Sequence, residues 1–365
     1  MANNNNTKNL NVPNLRFPEF TGEWKETIFE KICNIATGNK NTQDKKEDGE
    51  YPFYVRSEMV ERINSYSFNG EAILTAGDGV GVGKVFHYVN GKVGVHQRVY
   101  ILSNFECSCK FAYYYFSSKF YNRVKRMSAK NSVDSVRHDM IAQMPILLPA
   151  RHEQNKIAQF LCLLEQRIET QIKIIEDLKL LKSAIRDKLY SALHSNKCIS
   201  LEIKDILDYE QPTKYIVDKD EYSSDSTLVP VLTANKAFIL GYTNENNGIY
   251  NKGECIIFDD FTMDSKFVNF PFKVKSSAIK ILRTKDNFNT YFIFEYIAYL
   301  RLSSEEHKRH YISEIELRYL DIPDYATQLK IASILRCIDK LLTNANRINE
   351  LYLKQKQYLL SNIFI

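Results

Sequence analysis

Hydrophobic residues recur along two stretches of the chain with the alternating four-and-three spacing of a helix that buries one stripe. Ile157, Leu161, Leu164, Ile168, Gln171, Ile175, Leu178, Lys182, Ile185 and Leu189 form the first stripe, eight of these ten being apolar. Ile331, Leu335, Ile338, Leu342, Ala345, Asn349, Tyr352, Lys356, Leu359 and Ile363 form the second, again with eight of ten apolar. Sustained a/d positions with Glu, Lys and Arg on the other faces predict a coiled-coil seam. Two stripes of equal length, interrupted by polar residues at similar depths, argue that the helices pair with each other. The alternative is that each helix packs on its own globular part. Roughly 37 residues at about 1.5 Å each make a rod of about 55 Å. Each helix follows a proline, at Leu148-Pro149 and Ile322-Pro323, where the preceding residue is held extended.

Elsewhere the apolar runs are short and bounded by glycine and polar turns, the pattern of strands. They predict strands at 51–55, 72–75, 83–88, 92–95 and 98–102, and in the second half at 228–233, 254–258, 267–269 and 278–282. Each strand region is followed by an aromatic helical segment, 110–121 and 290–300. The aromatic residues there fit a helix-on-sheet core better than a platform for stacking bases. The fold class is α+β.

The chain also repeats itself with an offset of 174 residues. Pro149 matches Pro323, Gln154 matches Gln328, Lys156-Ile157-Ala158 matches Lys330-Ile331-Ala332, and Lys182 matches Lys356. Upstream, Phe29-Glu30-Lys31-Ile32 aligns with Ile203-Lys204-Asp205-Ile206. In between, the offset drifts to about 178 at Pro52 and Pro230 and to 180 at Ile101-Leu102 and Ile281-Leu282. A shared framework with loops of unequal length explains the drift. The expected division is residues 1–148, a helical region 149–194, residues 195–322 and a second helical region 323–365.

Composition narrows the class without naming a function. The 365 residues are 44% hydrophobic and 25% charged, near the average for globular proteins, which excludes global disorder. No apolar run reaches the length of a membrane span, and the first residues, MANNNNTKN, lack the apolar core of a secretory leader. Seven cysteines without a C-x-x-C favour a reduced, cytoplasmic protein over a disulfide framework or a zinc site. The net charge of +5 permits a polyanionic partner without establishing one.

Signs of catalysis fail on inspection. Gly77-Asp78-Gly79-Val80-Gly81-Val82-Gly83-Lys84 departs from the phosphate-loop pattern, with Asp78 at the first glycine position and Val85 at the last. It reads either as a turn between strands or as a loop whose bare backbone approaches a nucleic-acid groove, with Lys84 on a phosphate. Asp264-Ser265-Lys266 beside Asp259 and Asp260 has the shape of a nuclease fragment but lacks a counterpart in the first half. His307 and His310 have no partner at metal-ligand spacing. There is no N-P-P-[FYW] or D-P-P-[FYW] motif for amino-group methylation, and no G-x-S-x-G. Positive charge does cluster. Lys119, Arg123, Lys125, Arg126 and Lys130 interleave with Phe120, Tyr121 and Met127, as a solvated helix face or as a grip on DNA phosphates. Lys308-Arg309-His310 in the second half is offset by Glu305 and Glu306.

Two variable globular parts alternating with two long helices resemble the specificity subunit of Type I restriction–modification systems. The resemblance covers nearly the whole chain. Pro13-Asn14-Leu15-Arg16-Phe17-Pro18-Glu19-Phe20 followed by Gly22-Glu23-Trp24 is similar to the family's opening. Gly77-Asp78-Gly79 through Gly83-Lys84-Val85, then His96-Gln97-Arg98-Val99-Tyr100, resembles one of its target-recognition domain types. Pro149 through Ala158 resembles its P-x-x-E-Q-x-x-I-A helix start with one more residue between the proline and Glu153, and Pro323 through Ala332 repeats it with Thr327 in place of Glu.

The resemblance implies a non-catalytic subunit with two target-recognition domains, each reading one half of a split site on double-stranded DNA. The two helices pair as an antiparallel coiled coil with internal pseudo-twofold symmetry and set the spacer. Their seam is expected at Ile157, Leu161, Leu164, Ile168, Ile175, Leu178, Ile331, Leu335, Ile338, Leu342, Tyr352 and Leu359. Methyltransferase subunits dock on the helices and restriction subunits join them. S-adenosylmethionine, ATP and Mg are expected on those partners and no cofactor on this chain. Loop residues near strand ends are the expected DNA contacts. In the first domain these are Arg56, Ser57, Lys84, His96, Gln97 and Arg98, with Lys125 and Arg126 from the basic run. In the second they are Thr233, Asn235, Lys236, Lys266, Lys275, Ser276 and Ser277. Arginine bonds guanine O6 and N7, and glutamine bonds adenine N6 and N7. The competing expectation is a coiled-coil scaffold with two non-DNA binding modules. A fused restriction–methylation enzyme and a subunit that homodimerises through its helices are further alternatives.

Overall fold

The computed structural model describes residues 11–128, 135–195, 198–233, 238–302 and 311–364. The chain divides into two compact units, one of Met1–Ile172 with Arg347–Ile365, the other of Lys173–Asn346.

The first unit contains β1 (Lys25–Ile28), β2 (Asn34–Thr37), β3 (Tyr51–Tyr54), β4 (Val60–Ile63), β5 (Phe68–Ala76), β6 (Phe86–Val95), β7 (Val99–Ser103), α1 (Cys109–Met127), α2 (His138–Ala142) and β8 (Pro145–Leu148). The long helix α3 (Arg151–Ser191) follows. Six strands form one sheet in the order β2-β7-β5-β6-β3-β4, and β1 pairs separately with β8. Every pairing is antiparallel except β3 with β6, where Phe53 lies opposite Gly94. The stretch from 83 to 95, expected as two strands, holds one ten-residue strand, β6. Gly91 faces Gly70 across the ladder, and both have positive φ (134° and 144°). Glycine takes that conformation without a Cβ penalty, so the ladder continues through a site that reads as a break.

The aromatic residues of α1 are core. Phe111, Tyr114, Tyr115, Phe116 and Phe120 are buried against the sheet. Phe116 stacks on Phe120 at 4.3 Å and meets Phe29 and Phe86 edge-on at 5.2 and 5.6 Å. The same core takes Ile157, Leu161, Leu164 and Ile168 from α3 and Leu359 and Ile363 from the second long helix (Tyr325–Ile363).

The second unit contains β9 (Ile199–Glu202), α4 (Ile203–Ile206), β10 (Leu207–Glu210), β11 (Val229–Leu232), β12 (Ile239–Thr243), β13 (Cys255–Asp259), β14 (Ser265–Val268), β15 (Lys273–Val274), β16 (Ile279–Thr284), α5 (Thr290–Tyr299) and β17 (Tyr319–Ile322). The helix α6 (Tyr325–Ile363) follows. The sheets run β10-β16-β13-β14 and β12-β11-β15, with β17 on β9. The parallel pair recurs as β11 with β15, Val231 opposite Lys273. What is one strand in the first unit is two here, because Asn269-Phe270-Pro271 intervenes and proline has no N–H for a ladder. Tyr190 of α3 packs on Tyr296 and Phe292 of α5 at 4.7 and 5.2 Å, in one core with Ile331, Leu335 and Ile338 of α6.

The duplication is therefore structural. β1 with β8 corresponds to β9 with β17 at the offset of 174 residues. Of the twelve expected seam residues, Ile157, Leu161, Leu164, Ile168, Ile175, Ile331, Leu335, Ile338 and Leu359 are buried, while Leu178, Leu342 and Tyr352 are half-buried.

Candidate DNA-reading site

The start of α3 shows what the repeated motif does. Gln154 is buried; its Nε2 donates to the Pro149 carbonyl at 2.8 Å, and its Oε1 accepts from the Ser108 N–H at 2.9 Å. Ser108 is the N-cap of α1, so one amide ties that helix to the entry of α3. Gln328 repeats the arrangement, with Nε2 on the Pro323 carbonyl at 3.1 Å and Oε1 accepting from the Asn289 N–H at 2.9 Å. Asn289 is the N-cap of α5.

The departure at Thr327 is also explained. Glu153, with a side chain only 2% exposed, takes two parallel hydrogen bonds from Arg16, both at 2.8 Å. Arg16 also donates to the Gly22 and Thr21 carbonyls, which folds the opening segment onto α3. The Glu153 hydrogen bonds raise the Arg16 guanidinium above its ordinary value. Thr327 instead makes a local cap, donating to Asp324 at 2.8 Å.

A second network joins the long helices within each unit. In the first, Glu165 accepts from Tyr114 at 2.7 Å and from Lys356 at 2.6 Å. In the second, Lys182 lies 2.6 Å from both Asp339 and the fully buried Glu295, and Tyr291 donates to Asp339. Glu165 and Asp339 are related by the offset of 174, as are Lys182 and Lys356. Partly buried pairs of this kind, and above all the one to the fully buried Glu295, favour one register, because a slipped helix strands a charge.

On this frame the first unit places four of the expected contacts in one cleft. Asn41, Thr42, Gln43, Arg56, His96, Gln97 and Arg98 line a volume of about 220 Å³. Arg56 Nη1 is 3.0 Å from one oxygen of Asp78, and Arg98 Nη1 is 3.7 Å from the other. Gln97 and Arg98 are exposed. His96 is buried, unlike its expected place among the contacts. Its Nδ1 accepts from the Arg98 N–H at 3.0 Å and its Nε2 lies 3.3 Å from Thr42 Oγ1, so the ring braces the loop from beneath. Burial holds His96 below the usual histidine range, the Arg56 and Arg98 charges reinforce this, and Asp78 opposes it.

The glycine loop lies over the arginines. The Gly77 N–H donates to the Arg98 carbonyl at 2.8 Å, and a Cβ on Gly81 would sit 2.2 Å from the Arg56 carbonyl oxygen. Close approach to the chain's own backbone thus accounts for these two glycines. Lys84 is exposed and lies 5.4 Å over the Tyr121 ring. Ser57 is exposed in the turn after β3. Lys125 and Arg126 are exposed in the last turn of α1, where cations also complement the helix dipole. Arg123 turns inward to the Met140 and Gln143 carbonyls, at 2.8 Å each.

The second unit gathers fewer of its candidates. The Lys275 N–H donates to the Leu232 carbonyl at 2.8 Å, which brings Lys275, Ser276 and Ser277 beside Thr233 at the strand ends. Lys275 pairs with Asp220 and lies 5.4 Å over Tyr222. Lys266 lies apart on β14, paired with Asp264 at 2.9 Å. Asp260, the supposed nuclease acid, is buried, accepting from the Tyr311 N–H and lying 3.4 Å from the buried Lys280. Asn235 and Lys236, like Lys130, His307 and His310, lie outside the described residues. Asp78, which sequence reasoning passed over, is the residue that joins the two arginines.

Residues 21–180 match the family described as the Type I restriction modification DNA specificity domain. The chain is 43% identical over 169 residues to the Type I restriction enzyme EcoR124I/EcoR124II specificity subunit of Escherichia coli, across 43% of this chain and 42% of that protein. It is 26% identical over 148 residues to the Escherichia coli EcoDI specificity subunit, across 40% of this chain and 32% of that one. The matched stretches thus span less than half the length of these curated relatives. The fold is similar to that of a Type I restriction–modification S subunit from M. genitalium, with TM-score 0.70 and 15% identity over 97% of this chain and 99% of that one. Residues 21–180 thus match a Type I restriction modification DNA specificity domain, and the fold of the chain is similar to that of a Type I S subunit.

Proposed function

We propose that this chain is the DNA-reading subunit of a Type I restriction–modification complex. Residues 1–148 and 195–322 form two target-recognition domains, each reading one half of a split double-stranded site. The helical regions 149–194 and 323–365 set the gap between half-sites and dock the methyltransferase subunits. Restriction subunits complete the assembly, and these partners bring S-adenosylmethionine, ATP and Mg. The chain supplies recognition and works where the chromosome is, in the cytoplasm.

The observation that carries this function is the duplicated frame with unlike loops. The same glutamine, proline and lysine bonds recur in both copies, while the loop after the parallel strand reads His96-Gln97-Arg98 in one and Lys275-Ser276-Ser277 in the other. A frame kept constant under changing loops suits two readers of different sequences. Leu163, Leu180, Leu181, Ile334, Leu341 and Leu351 are exposed on the long helices, and apolar side chains left open to solvent there support docking of a partner.

The test is adenine-methylation mapping in cells that express this chain with a Type I methyltransferase subunit. One split motif with a fixed gap is expected, and exchanging residues 198–322 for those of another specificity subunit changes one half only. A soluble complex that leaves host adenines unmodified overturns the function in favour of a scaffold with non-DNA modules.

A further inference from the structure

We propose that Asp78 determines specificity in the first unit by holding Arg98 in position to read one guanine of the half-site, with Arg56 as the fixed side of the clamp. The inference rests on the DNA-reading function above and adds the base and the residue that selects it.

The two arginines are held differently. Arg56 hydrogen-bonds Asp78 at 3.0 Å, and its side chain is 45% exposed. Arg98 stands at 3.7 Å, beyond hydrogen-bond length, with its side chain 65% exposed. Its guanidinium is thus oriented by charge while its fork of donors stays open to a ligand. Its backbone is fixed on both sides, the N–H on His96 Nδ1 and the carbonyl on the Gly77 N–H. Gly77 and Gly81 flank Asp78, and each closes on the backbone carbonyl of one arginine. The glycine loop therefore seats the carboxylate between the two guanidiniums.

This geometry selects a base. Guanine offers O6 and N7 side by side in the major groove, a pair of acceptors that an arginine fork meets with two hydrogen bonds. Adenine presents an amine at the first of these positions and repels a guanidinium. Asp78 only accepts, so it repels guanine O6 and N7 unless Arg98 stands between them. A carboxylate close to DNA also weakens attraction to phosphates at every sequence. Asp78 thus lowers general affinity while it sharpens one base choice, and these two effects of its removal have opposite signs.

The experiment uses the full chain in complex with its methyltransferase subunit, titrated against duplexes carrying every single substitution in the methylated motif. The wild-type complex is expected to prefer one G·C pair of one half-site by about tenfold to a hundredfold. Asp78→Asn is expected to lose most of that preference while binding non-specific duplex more tightly. Arg98→Ala is expected to lose the preference and to bind more weakly. The other half-site is the folding control, since a misfolded variant loses both.

Asp78→Asn with its preference intact overturns the proposal. So does Arg98→Ala if it weakens every sequence equally, which makes Arg98 a phosphate contact. A wild-type complex with no sequence preference overturns the DNA-reading function itself, an outcome separate from either of these.

Discussion

The turn after β5 and the turn after β13 hold the same place in the two copies and are built by opposite means. The first spans nine residues, 77–85, with four glycines, and its carboxylate Asp78 faces two exposed arginines. The second spans five, 260–264, without a glycine. Its first carboxylate points inward, since Asp260 is buried against Lys280 and the Tyr311 N–H, Asp259 Oδ1 at the end of β13 accepts from the Phe261 N–H at 2.9 Å, and the exposed Asp264 pairs with Lys266 on the next strand. A surface carboxylate among arginines costs little and is free to meet a ligand, whereas a buried pair commits both charges to the fold. The same frame thus sets the carboxylate of one turn between exposed arginines and commits the first carboxylate of the other to the fold. Beneath the turns, the bonds at Gln154 and Gln328 are alike.

The largest expected difference lies between two related lysines. Lys182 serves Asp339 and the fully buried Glu295, with Arg186 at 3.4 Å from the latter. Replacing it by methionine leaves a buried carboxylate short of one cation and is expected to cost about 3 kcal/mol. Lys356 serves Glu165 alone, and both side chains are about a quarter to a third exposed. Lys356→Met is expected to cost about 1 kcal/mol after solvent screening. Denaturant melts of the two variants read the difference directly. Equal losses would mean that the two networks do the same work despite their unequal burial.

Gln154→Ala and Gln328→Ala sharpen the comparison from the other side. Each leaves one N-cap N–H, buried at Ser108 and half-buried at Asn289, and one proline carbonyl without the amide, so each is expected to cost about 1–3 kcal/mol. The two losses are expected to agree and to add in the double variant, because the glutamines share no partner. A much larger loss at Gln154 would mean that the Arg16–Glu153 pair beside it depends on the same amide.

What was legible in the sequence follows the same division. The repeat was legible because buried bonds tolerate few substitutes, so proline, glutamine and lysine recur at one offset. The seam was legible from its spacing. The four-residue strands β1 and β9 were not, because KETI and ISLE are too short and too polar to show a period. The break read into β6 came from Gly91, whose partner Gly70 only the register reveals. In the first unit Arg56 and Arg98 are each legible as loop residues near strand ends. Their joining by Asp78 was hidden, because three loops far apart in sequence converge there. His96 shares one turn with the exposed Gln97 and Arg98, and sequence does not tell which residue of a turn points in.

The smallest expected effect is a pH dependence in the first unit. Burial holds both His96 and His87 below the usual histidine range. The folded protein resists protonating them, so the unfolded chain takes up these protons first as pH falls below about 6.5. Their contribution to stability is complete above that pH and is lost as pH falls toward the depressed folded values. For His96 the loss has a structural meaning, since a proton on Nδ1 abolishes the acceptor for the Arg98 N–H and loosens the residue proposed above to read a base. His96→Asn keeps an acceptor near that position and removes the titration. Between pH 7.5 and 5.5 its melting temperature is expected to fall less than the wild type's, by about a degree or two for a chain of this size. An identical fall in both proteins would assign the acid sensitivity to His87 or to groups elsewhere and leave His96 a brace without a switch.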